Sequence, residues 1–492
     1  MSKARKVLIQ KYFEEPSFVD SNIASFNFLV EKELQEIVDE NREIVPTIIP
    51  QNVDDFKIRF DKIWVTKPEI TEADGSKRKI FPAEARLRKI TYSAPIFIEV
   101  SAHINDVQRE SFTTQIGNLP IMLKSNSCHL HKMSREELIT HNEDPDDPGG
   151  YFIINGTEKV LINIEDLAPN RFLCEKSGND VVGKMFSEKG SFKIPHTIEK
   201  SKEGIFYLTF TRVQNIPIIV IIKSLGLIKD SDIMKFVSED RQFDELLINL
   251  YEFAEIKNEE DALDYVAKRI GITQSKEIRL ERMKEILDKY LLPHLGSAPQ
   301  ARMTKAHNLC KMLKRYVLVA NGEVDFDDKD HYMNKRLKMS GDLMADLIRV
   351  NLKVLIGDLL YNFQRIVKRG KFPTIKVIIR DKLLTSRIYS SMATGNWVGG
   401  RKGISQRIQR LNFLETQSHL QRVVSPLSAS QENFEARELH PTHLGRLCPI
   451  ETPEGTNIGL RKNLSLLCSI SDDMPEEEYL KALVNLGLRT VK

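Results

Sequence analysis

The stretch that decides the fold is residues 439–467, which read LHPTHLGRLCPIETPEGTNIGLRKNLSLL. Prolines and glycines are spread through it among polar side chains; they are Pro441, Pro449, Pro453, Gly445, Gly455 and Gly459. Proline removes a backbone donor and glycine permits positive φ, so neither a regular helix nor a regular strand suits this stretch. The pattern predicts a rigid, irregular loop that is held for contact rather than for filling a core.

The segment immediately upstream, residues 385–422, is strongly basic, and Glu415 is its one acidic residue. Its basic residues are Arg387, Arg401, Lys402, Arg407, Arg410 and Arg422. Glycines at 395, 399, 400 and 403 and the aromatics Tyr389, Trp397 and Phe413 are interleaved with them. Positive charge on a flexible, aromatic-bearing loop is typical of contact with nucleic-acid phosphates. A solvated helical face fits the composition equally well.

Further upstream, the patterns indicate strands first and helices later. Runs at 57–65, 96–103 and 120–124 read as strands, and Asn155-Gly156 between 151–154 and 158–162 predicts a hairpin with a type I′ turn. A separate α+β module is expected from about 165 to 325, with strands at 204–212 and 216–223 and helices at 259–270, 275–291 and 302–320. A long helix is expected at 342–369, capped by Asp342, with Leu343, Leu347, Val350, Val354 and Leu359 facing inward and Gly370 ending it.

Bulk composition narrows the class of protein. The chain has 492 residues, 41% hydrophobic and 29% charged, with a formal net charge of only +3, so any nucleic-acid contact must come from local basic patches. No run of apolar residues is long enough to span a membrane, and the N-terminus lacks a secretory signal, which predicts a cytoplasmic protein. The five cysteines are dispersed without a Cys-x-x-Cys pair, which predicts isolated, reduced thiols.

Two groups of residues could carry metal chemistry. The acidic stretch 325–331, DFDDKDH, resembles a magnesium-binding cluster, but adjacent acids in a loop are usually solvated or cap helices. His440 and His443 could ligate a metal, yet they lack a third ligand, and Pro441 between them breaks a helix. No phosphate loop, nucleophile elbow or kinase-type set is present, so we expect no catalytic residue and no metal site in this chain alone.

Four ordered motifs resemble the second-largest (bacterial β-type) subunit family of multi-subunit RNA polymerases. The segment from His440 through Glu451-Thr452-Pro453-Glu454-Gly455 to Leu464 is similar to the signature of the fork region in that family. The others are Pro148–Gly156 with Glu158-Lys159-Val160, Asp327–His331 with Asn334–Leu337, and Ala393–Trp397. Residues 414–429 do not match the bacterial rifamycin-pocket sequence, which favours the archaeal or eukaryotic side of the family.

The resemblance implies an α+β multidomain chain built from protrusion, lobe and fork. The expected parts are protrusion 1–164 and 326–385, inserted lobe 165–325, fork 386–471, and the start of an external domain at 472–492. The later hybrid-binding, wall and clamp segments of the family are not matched. The chain is therefore expected to be the N-terminal half of a split second-largest subunit of the archaeal type, the B double-prime chain. Loops 396–403 and 426–437 take the places of the two fork loops.

The same resemblance implies the site residues and the partners. Expected nucleic-acid contacts are Arg401, Lys402, Arg407, Arg410, Arg422, Arg437 and Arg446. Expected near the active centre are His440, His443, Glu454 and Asn457, although Arg446 and His443 could instead satisfy buried carbonyls. Expected partners are the B prime chain, the largest-subunit chains, the small assembly subunits, DNA and RNA. Magnesium is expected only in the assembled polymerase, through the largest subunit.

Two other functions remain compatible with the residues. An accessory, non-catalytic nucleic-acid-binding protein could have borrowed the fork region, but the motifs extend back to residue 148. An independent metal-dependent enzyme could use the acids at 325–331, and equilibrium metal binding by the isolated chain would reveal it.

Overall fold

The computed structural model describes residues 3–14, 17–49, 53, 55–178, 180–190, 192–238, 243–370, 374–465, 468–471 and 476–488. The chain forms two compact units. Unit 1 comprises residues 1–166 and 337–492, and unit 2 comprises residues 167–336. Both units combine helices with antiparallel sheets, so the predicted α+β multidomain class is confirmed.

The first part of unit 1 contains short helices, long strands and a hairpin. Its elements are α1 (Lys3–Glu14), α2 (Asp20–Phe28), α3 (Leu34–Asp39), β1 (Glu43–Ile44), β2 (Phe56–Val65), β3 (Glu69–Thr71), β4 (Lys77–Lys79), α4 (Pro82–Leu87), β5 (Ser93–Ile104), β6 (Val107–Pro120), α5 (Arg135–Thr140), β7 (Phe152–Ile154), β8 (Thr157–Leu161) and β9 (Asn163–Leu167). A π-helical turn, Leu29–Glu33, joins α2 to α3.

Unit 2 starts with strands and continues with helices. Its elements are β10 (Phe172–Ser177), β11 (Asp180–Lys189), β12 (Phe192–Lys200), β13 (Phe206–Phe210), β14 (Val213–Pro217), α6 (Ile218–Ser224), α7 (Asp230–Val237), α8 (Asp244–Glu252), α9 (Glu259–Ile270), α10 (Lys276–Tyr290) and α11 (Arg302–Ala320).

The chain then returns to unit 1 through β15 (Lys335–Lys338). The later elements are α12 (Ser340–Val367), α13 (Ile375–Ile378), α14 (Asp381–Thr394), β16 (Ser405–Arg407), α15 (Phe413–Leu420), β17 (Arg422–Val424), β18 (Arg461–Asn463) and α16 (Glu476–Asn485). Of the predicted external-domain segment 472–492, residues 472–475 and 489–492 lie outside the described residues.

The core of unit 1 is organised by one sheet and one long helix. Strands β1, β2, β5 and β6 form an antiparallel sheet in that order, and β2 alternates buried and half-buried residues as a one-sided strand should. Helix α12 packs against α2 and α14, and α14 packs against β6. Together they bury a continuous apolar cluster that also includes the hairpin residues 151–154.

A smaller set of strands supports the candidate site. The hairpin β7–β8 turns at Asn155 and Gly156, both with positive φ, and β16 extends it by pairing with β8. Strand β17 pairs antiparallel with β18 and parallel with β9. These pairings place residues 405–407 beside β8 and residues 423–424 beside β9, about 250 positions away in sequence, and residues 461–463 beside β17.

Unit 2 is a five-stranded antiparallel meander, β10 to β14 in sequence order, with the helices α6 to α11 around its own apolar core. A buried lysine stabilises one helix end, because Lys305 Nζ donates to the Leu287 and Asp288 carbonyls at 3.1 and 2.8 Å, near the C-terminal end of α10. Unpaired carbonyls at a helix C-terminus favour such a cation.

Several predicted elements are confirmed and three details are wrong. The helices 259–270 and 302–320, the strands 57–65 and 96–103, and the hairpin all form; the predicted strand 216–223 does not. There β14 ends at Pro217 and a fully buried helix, α6, follows, because a continuous run of apolar residues suits either structure. Residues 121–124 form a turn region, and α12 begins at Ser340. Asp342 is therefore inside the helix, where its carboxylate accepts a hydrogen bond from Met339 N at 2.8 Å.

Burial confirms other expectations only in part. Leu343, Leu347 and Leu359 are buried, whereas Val350 and Val354 are half-buried. The five cysteines are unpaired, as predicted. Among the described helices, none has the length and apolar character needed to cross a membrane.

Candidate nucleic-acid interface

The basic glycine-rich loop 396–403 is anchored at both ends. Gly395 ends α14 with φ of +78°, and an added Cβ there would lie 2.7 Å from the Ser405 carbonyl. The buried Trp397 donates from its indole nitrogen to the Leu343 carbonyl at 2.9 Å, and its backbone N–H donates to the Arg401 carbonyl at 2.8 Å. Fixed ends and three positive-φ glycines within it give a loop of defined shape, whose residues 399, 400, 402 and 403 are exposed.

Three of the predicted phosphate-binding arginines are paired with acids of this chain. Arg401 contacts Asp166 at 2.9 Å, and Arg422 contacts Glu415 at 3.4 Å.

Arg410 is the most heavily engaged of the three. It contacts both Glu158 and Asp147 at 2.9 Å, and its guanidinium lies 5.1 Å from the centre of the Tyr151 ring. These ion pairs neutralise much of the charge that the sequence pattern suggested.

Lys402 and Arg407 are different. Both are exposed, and neither side chain makes an ion pair or a hydrogen bond with the described part of the chain. In the β16–β8 ladder, Arg407 lies directly opposite Lys159. Partial burial, and then the Arg407 charge, lower the pKa of Lys159. Like charges opposite each other in a sheet destabilise it unless a counter-anion is present.

Lys159 was missed by the sequence analysis as a site residue. It lies in the hairpin motif, and its Nζ donates to the Ala393 carbonyl at 3.0 Å. A basic residue in a hairpin gives no signal of its own, because only the pairing of β8 with β16 shows that it faces Arg407.

The buried imidazole of His419 holds the base of the same region. Its Nδ1 accepts from the Gln409 backbone N–H at 3.1 Å, and its Nε2 lies 3.3 Å from the Gln406 side-chain oxygen. Burial, with the nearby Arg422 and Arg461 charges, lowers the pKa of His419 to about 4. The ring is therefore neutral at physiological pH and fixes the chain on both sides of Arg407.

The histidines of the fork signature face their own backbone. Residues 441–443 form a 3-10 turn, in which His440 Nδ1 accepts from the Thr442 N–H at 3.2 Å and His443 Nδ1 accepts from the His440 N–H at 3.4 Å. The two ring centres are 6.0 Å apart. This geometry suits a capped turn and not a shared metal ion. Arg446 is exposed and donates to the Thr442 carbonyl at 2.9 Å.

Arg437 is a link between loops in this structure. It donates to four backbone carbonyls, those of Thr456, Ile458, Ala429 and Gln431. Glu454 and Asn457 lie on the loop that this contact holds; Glu454 is exposed and Asn457 is half-buried. Neither side chain makes a hydrogen bond or ion pair with other residues that the structure describes.

The acidic stretch 325–331 does not have the form of a metal site. Asp327 contacts Arg315 at 2.6 Å and also accepts from the Cys174 N–H, and Asp330 contacts Lys335 at 3.0 Å. Within the described ranges, no group of three or more His, Cys, Asp or Glu side chains is arranged to hold a metal. The magnesium that the family implies therefore does not fit these residues.

Comparisons with known proteins agree with the motifs. The family model described as RNA polymerase beta subunit matches residues 17–386, and the model described as RNA polymerase Rpb2, domain 3 matches residues 406–470. DNA-directed RNA polymerase subunit Rpo2N of Methanocaldococcus jannaschii is 44% identical, with 98% of each chain covered. The Rpo2N subunit of Methanothermobacter thermautotrophicus is 39% identical over 99% of this chain and 98% of that protein.

A third relative is longer. DNA-directed RNA polymerase subunit Rpo2 of Saccharolobus solfataricus is 42% identical, and the match covers 99% of this chain but only 43% of that protein. The fold and these matches together define a second-largest subunit of a multi-subunit polymerase, and the chain belongs to the RNA polymerase β-subunit family. Within the family it corresponds to the N-terminal half of the archaeal second-largest subunit, the part that the Rpo2N relatives carry as a separate chain.

Proposed function

We propose that this chain acts within a DNA-directed RNA polymerase, where its fork, 386–471, holds downstream DNA and the RNA–DNA hybrid. In this proposal residues 1–164 and 326–385 form the protrusion, 165–325 the lobe, and 472–492 the start of the external domain. The relatives named as polymerase subunits and the exposed basic residues of the fork support it.

The observation that carries the proposal is the charge of Arg407, which no ion pair with the described residues neutralises. Arg407 and Lys159 face each other across two strands, and Lys402 projects from the anchored loop five residues earlier. Two like charges opposite each other destabilise the folded protein by electrostatic repulsion, and a phosphate bound between them would relieve that repulsion. We therefore place the main phosphate contact at Lys159, Lys402 and Arg407.

The other predicted contacts rank below these three. Arg401, Arg410 and Arg422 already have carboxylate partners, so a phosphate would have to compete with Asp166, Asp147, Glu158 or Glu415. Arg446 is exposed and donates to one carbonyl, so it is a secondary contact. His440, His443, Glu454 and Asn457 are proposed to lie near the RNA 3′ end, where the exposed Glu454 carboxylate would orient basic partners.

Synthesis in this proposal requires the other subunits. In the stretch 325–331, Asp327 and Asp330 are engaged in ion pairs, so in this proposal the catalytic magnesium would be held by the largest subunit. The proposed partners are a B prime chain, the largest-subunit chains and the small assembly subunits, in the cytoplasm. The purified chain alone is expected to synthesise no RNA.

The test is the salt dependence of elongation-complex stability in a reconstituted polymerase. Each phosphate contact contributes a log–log slope of about 0.9, so Lys402→Ala with Arg407→Ala should flatten the slope by about 1.8. Lys276→Ala, which removes an exposed charge from unit 2, is the matched control. An unchanged slope in the double variant, with normal assembly, would show that these residues do not contact phosphate.

A further inference from the structure

The guanidinium of Arg437 joins two loops of the fork through four hydrogen bonds. One nitrogen, Nη1, donates to the carbonyls of Thr456 and Ile458 at 2.7 and 3.2 Å. The other, Nη2, donates to the carbonyls of Ala429 and Gln431, both at 3.0 Å. The first pair belongs to the ETPEGTNIG loop and the second to the loop 426–437, so one side chain fixes both.

This arrangement leaves little of the guanidinium for a phosphate. Arginine has five N–H donors in a planar fork, and the four contacts use both terminal nitrogens. Lysine would keep the charge, but its single ammonium has three donors and no fork. The chemistry of the contact therefore depends on the shape of arginine as much as on its charge.

A second observation shows the same close approach between the two loops. Gly459 has φ of +73°, and a Cβ added there would overlap the carbonyl group of Arg437. Its backbone N–H donates to the Thr452 hydroxyl at 2.9 Å, and that hydroxyl donates to the Arg461 carbonyl at 3.0 Å. Residues 455–459 are thus held at Arg437 on one side and at Thr452 on the other.

We infer that Arg437 is a positioning residue, which sets the place of Glu454 and Asn457 by fixing the loop that carries them, and is not a phosphate contact. This inference rests on the proposed function, because the loop must lie near the RNA 3′ end for its position to affect nucleotide addition. It replaces the expectation from sequence that Arg437 binds nucleic acid.

The experiment compares Arg437→Lys and Arg437→Ala in the reconstituted polymerase. Both variants should lower kcat/KM for the incoming nucleotide by roughly tenfold, since a misplacement of about 1 Å can cost on the order of 10²-fold. The KM should rise in both, whereas a mere loss of folded enzyme would lower only the apparent kcat. The salt slope of the elongation complex should stay at the wild-type value.

Gly459→Ala tests the same geometry without touching the charge. It should reproduce the raised KM, because its methyl group displaces the Arg437 backbone, while Gly445→Ala should not. Gly445 is the matched control, since it has a similar φ of +78° and no atom of the described residues within 4 Å of an added Cβ.

Three results would overturn the inference. The first is a salt slope of the elongation complex that falls by about 0.9 in Arg437→Ala and is restored in Arg437→Lys. The second is wild-type kinetics in both Arg437 variants. The third is a failure of Arg437→Lys to assemble into the polymerase. The proposed function fails separately, if the Lys402 and Arg407 variant keeps the wild-type slope. A raised KM in the Arg437 and Gly459 variants would still support positioning in that case.

Discussion

The buried ion pair between Lys462 and Glu165 offers a sharp test of how strands β17 and β18 are held against β9 in unit 1. Lys462 Nζ lies 2.8 Å from a Glu165 carboxylate oxygen, and the side chains are 8% and 2% exposed. Lys462 is on β18 and Glu165 on β9, the two strands that flank β17. The perturbation is Lys462→Met, which leaves an unbranched side chain one atom shorter and removes the charge.

The expected cost follows from the distance and the burial. At 2.8 Å and an effective dielectric constant of about 20, the attraction is about 6 kcal/mol. Removing Lys462 also removes its own desolvation cost, so breaking such a pair typically costs about 3–5 kcal/mol net. Replacing both residues, with Lys462→Met and Glu165→Leu, should come within about 1 kcal/mol of wild type, because replacing both members of a buried ion pair by apolar side chains of similar volume is often close to neutral.

The assay is thermal unfolding of the purified chain, followed by circular dichroism in a double-mutant cycle. At about 2 °C per kcal/mol for a large unit, Lys462→Met should lower Tm by about 6–10 °C, and the double variant should recover most of it. A single variant within about 2 °C of wild type, or a double variant as unstable as the single, would refute the reasoning.

Two further predictions concern unit 1. Burial, and then the charge of Asp342, raise the pKa of Glu33 to about 7 from an ordinary value of 4.5. The folded protein therefore binds the Glu33 proton more tightly than the unfolded chain does. The contribution of Glu33 to the free energy of unfolding should be fully present below about pH 4.5 and should be lost, by up to about 3 kcal/mol, as pH rises to about 7. Glu33→Gln should flatten that part of a plot of Tm against pH, and a variant profile identical to that of wild type would contradict the prediction. In denaturant unfolding, Gly395→Ala should lower the free energy of unfolding more than Gly370→Ala does. Both glycines follow a helix and have positive φ, which costs a non-glycine residue about 1–2 kcal/mol. Of the two, only Gly395 has an atom of the described residues near an added Cβ, the Ser405 carbonyl oxygen at 2.7 Å. Equal losses would exclude that contact as a cause.

Most of the predicted secondary structure followed from local sequence patterns. The hairpin turn at Asn155-Gly156 and the end of α9 at Gly271, with φ of +87°, follow from the few residues that define them. The run 216–223 could not be assigned in this way, because a wholly buried apolar segment has no polar face to reveal its period.

The sequence indicated which types of residue form the candidate site, but not which residues lie close to one another there. The basic character of 385–422 is local, but Asp147, Glu158 and Asp166, which neutralise Arg410 and Arg401, lie more than 230 positions away. The same holds for Lys159, which only strand pairing brings to Arg407. For Arg437, the sequence shows a basic side chain but not its four partners, which are backbone carbonyls that no sequence pattern marks.

The most direct measurement is photo-crosslinking from position 407 in an assembled elongation complex. A photo-reactive residue in place of Arg407 should form an adduct with labelled DNA or RNA, and so should one in place of Lys402, because both side chains are exposed on the anchored loop and its strand. The same residue in place of Lys276 in unit 2 provides the reference for non-specific reaction. Adducts from 402 and 407 well above that reference are predicted; yields at both positions equal to the reference would contradict the proposal that this part of the fork contacts nucleic acid.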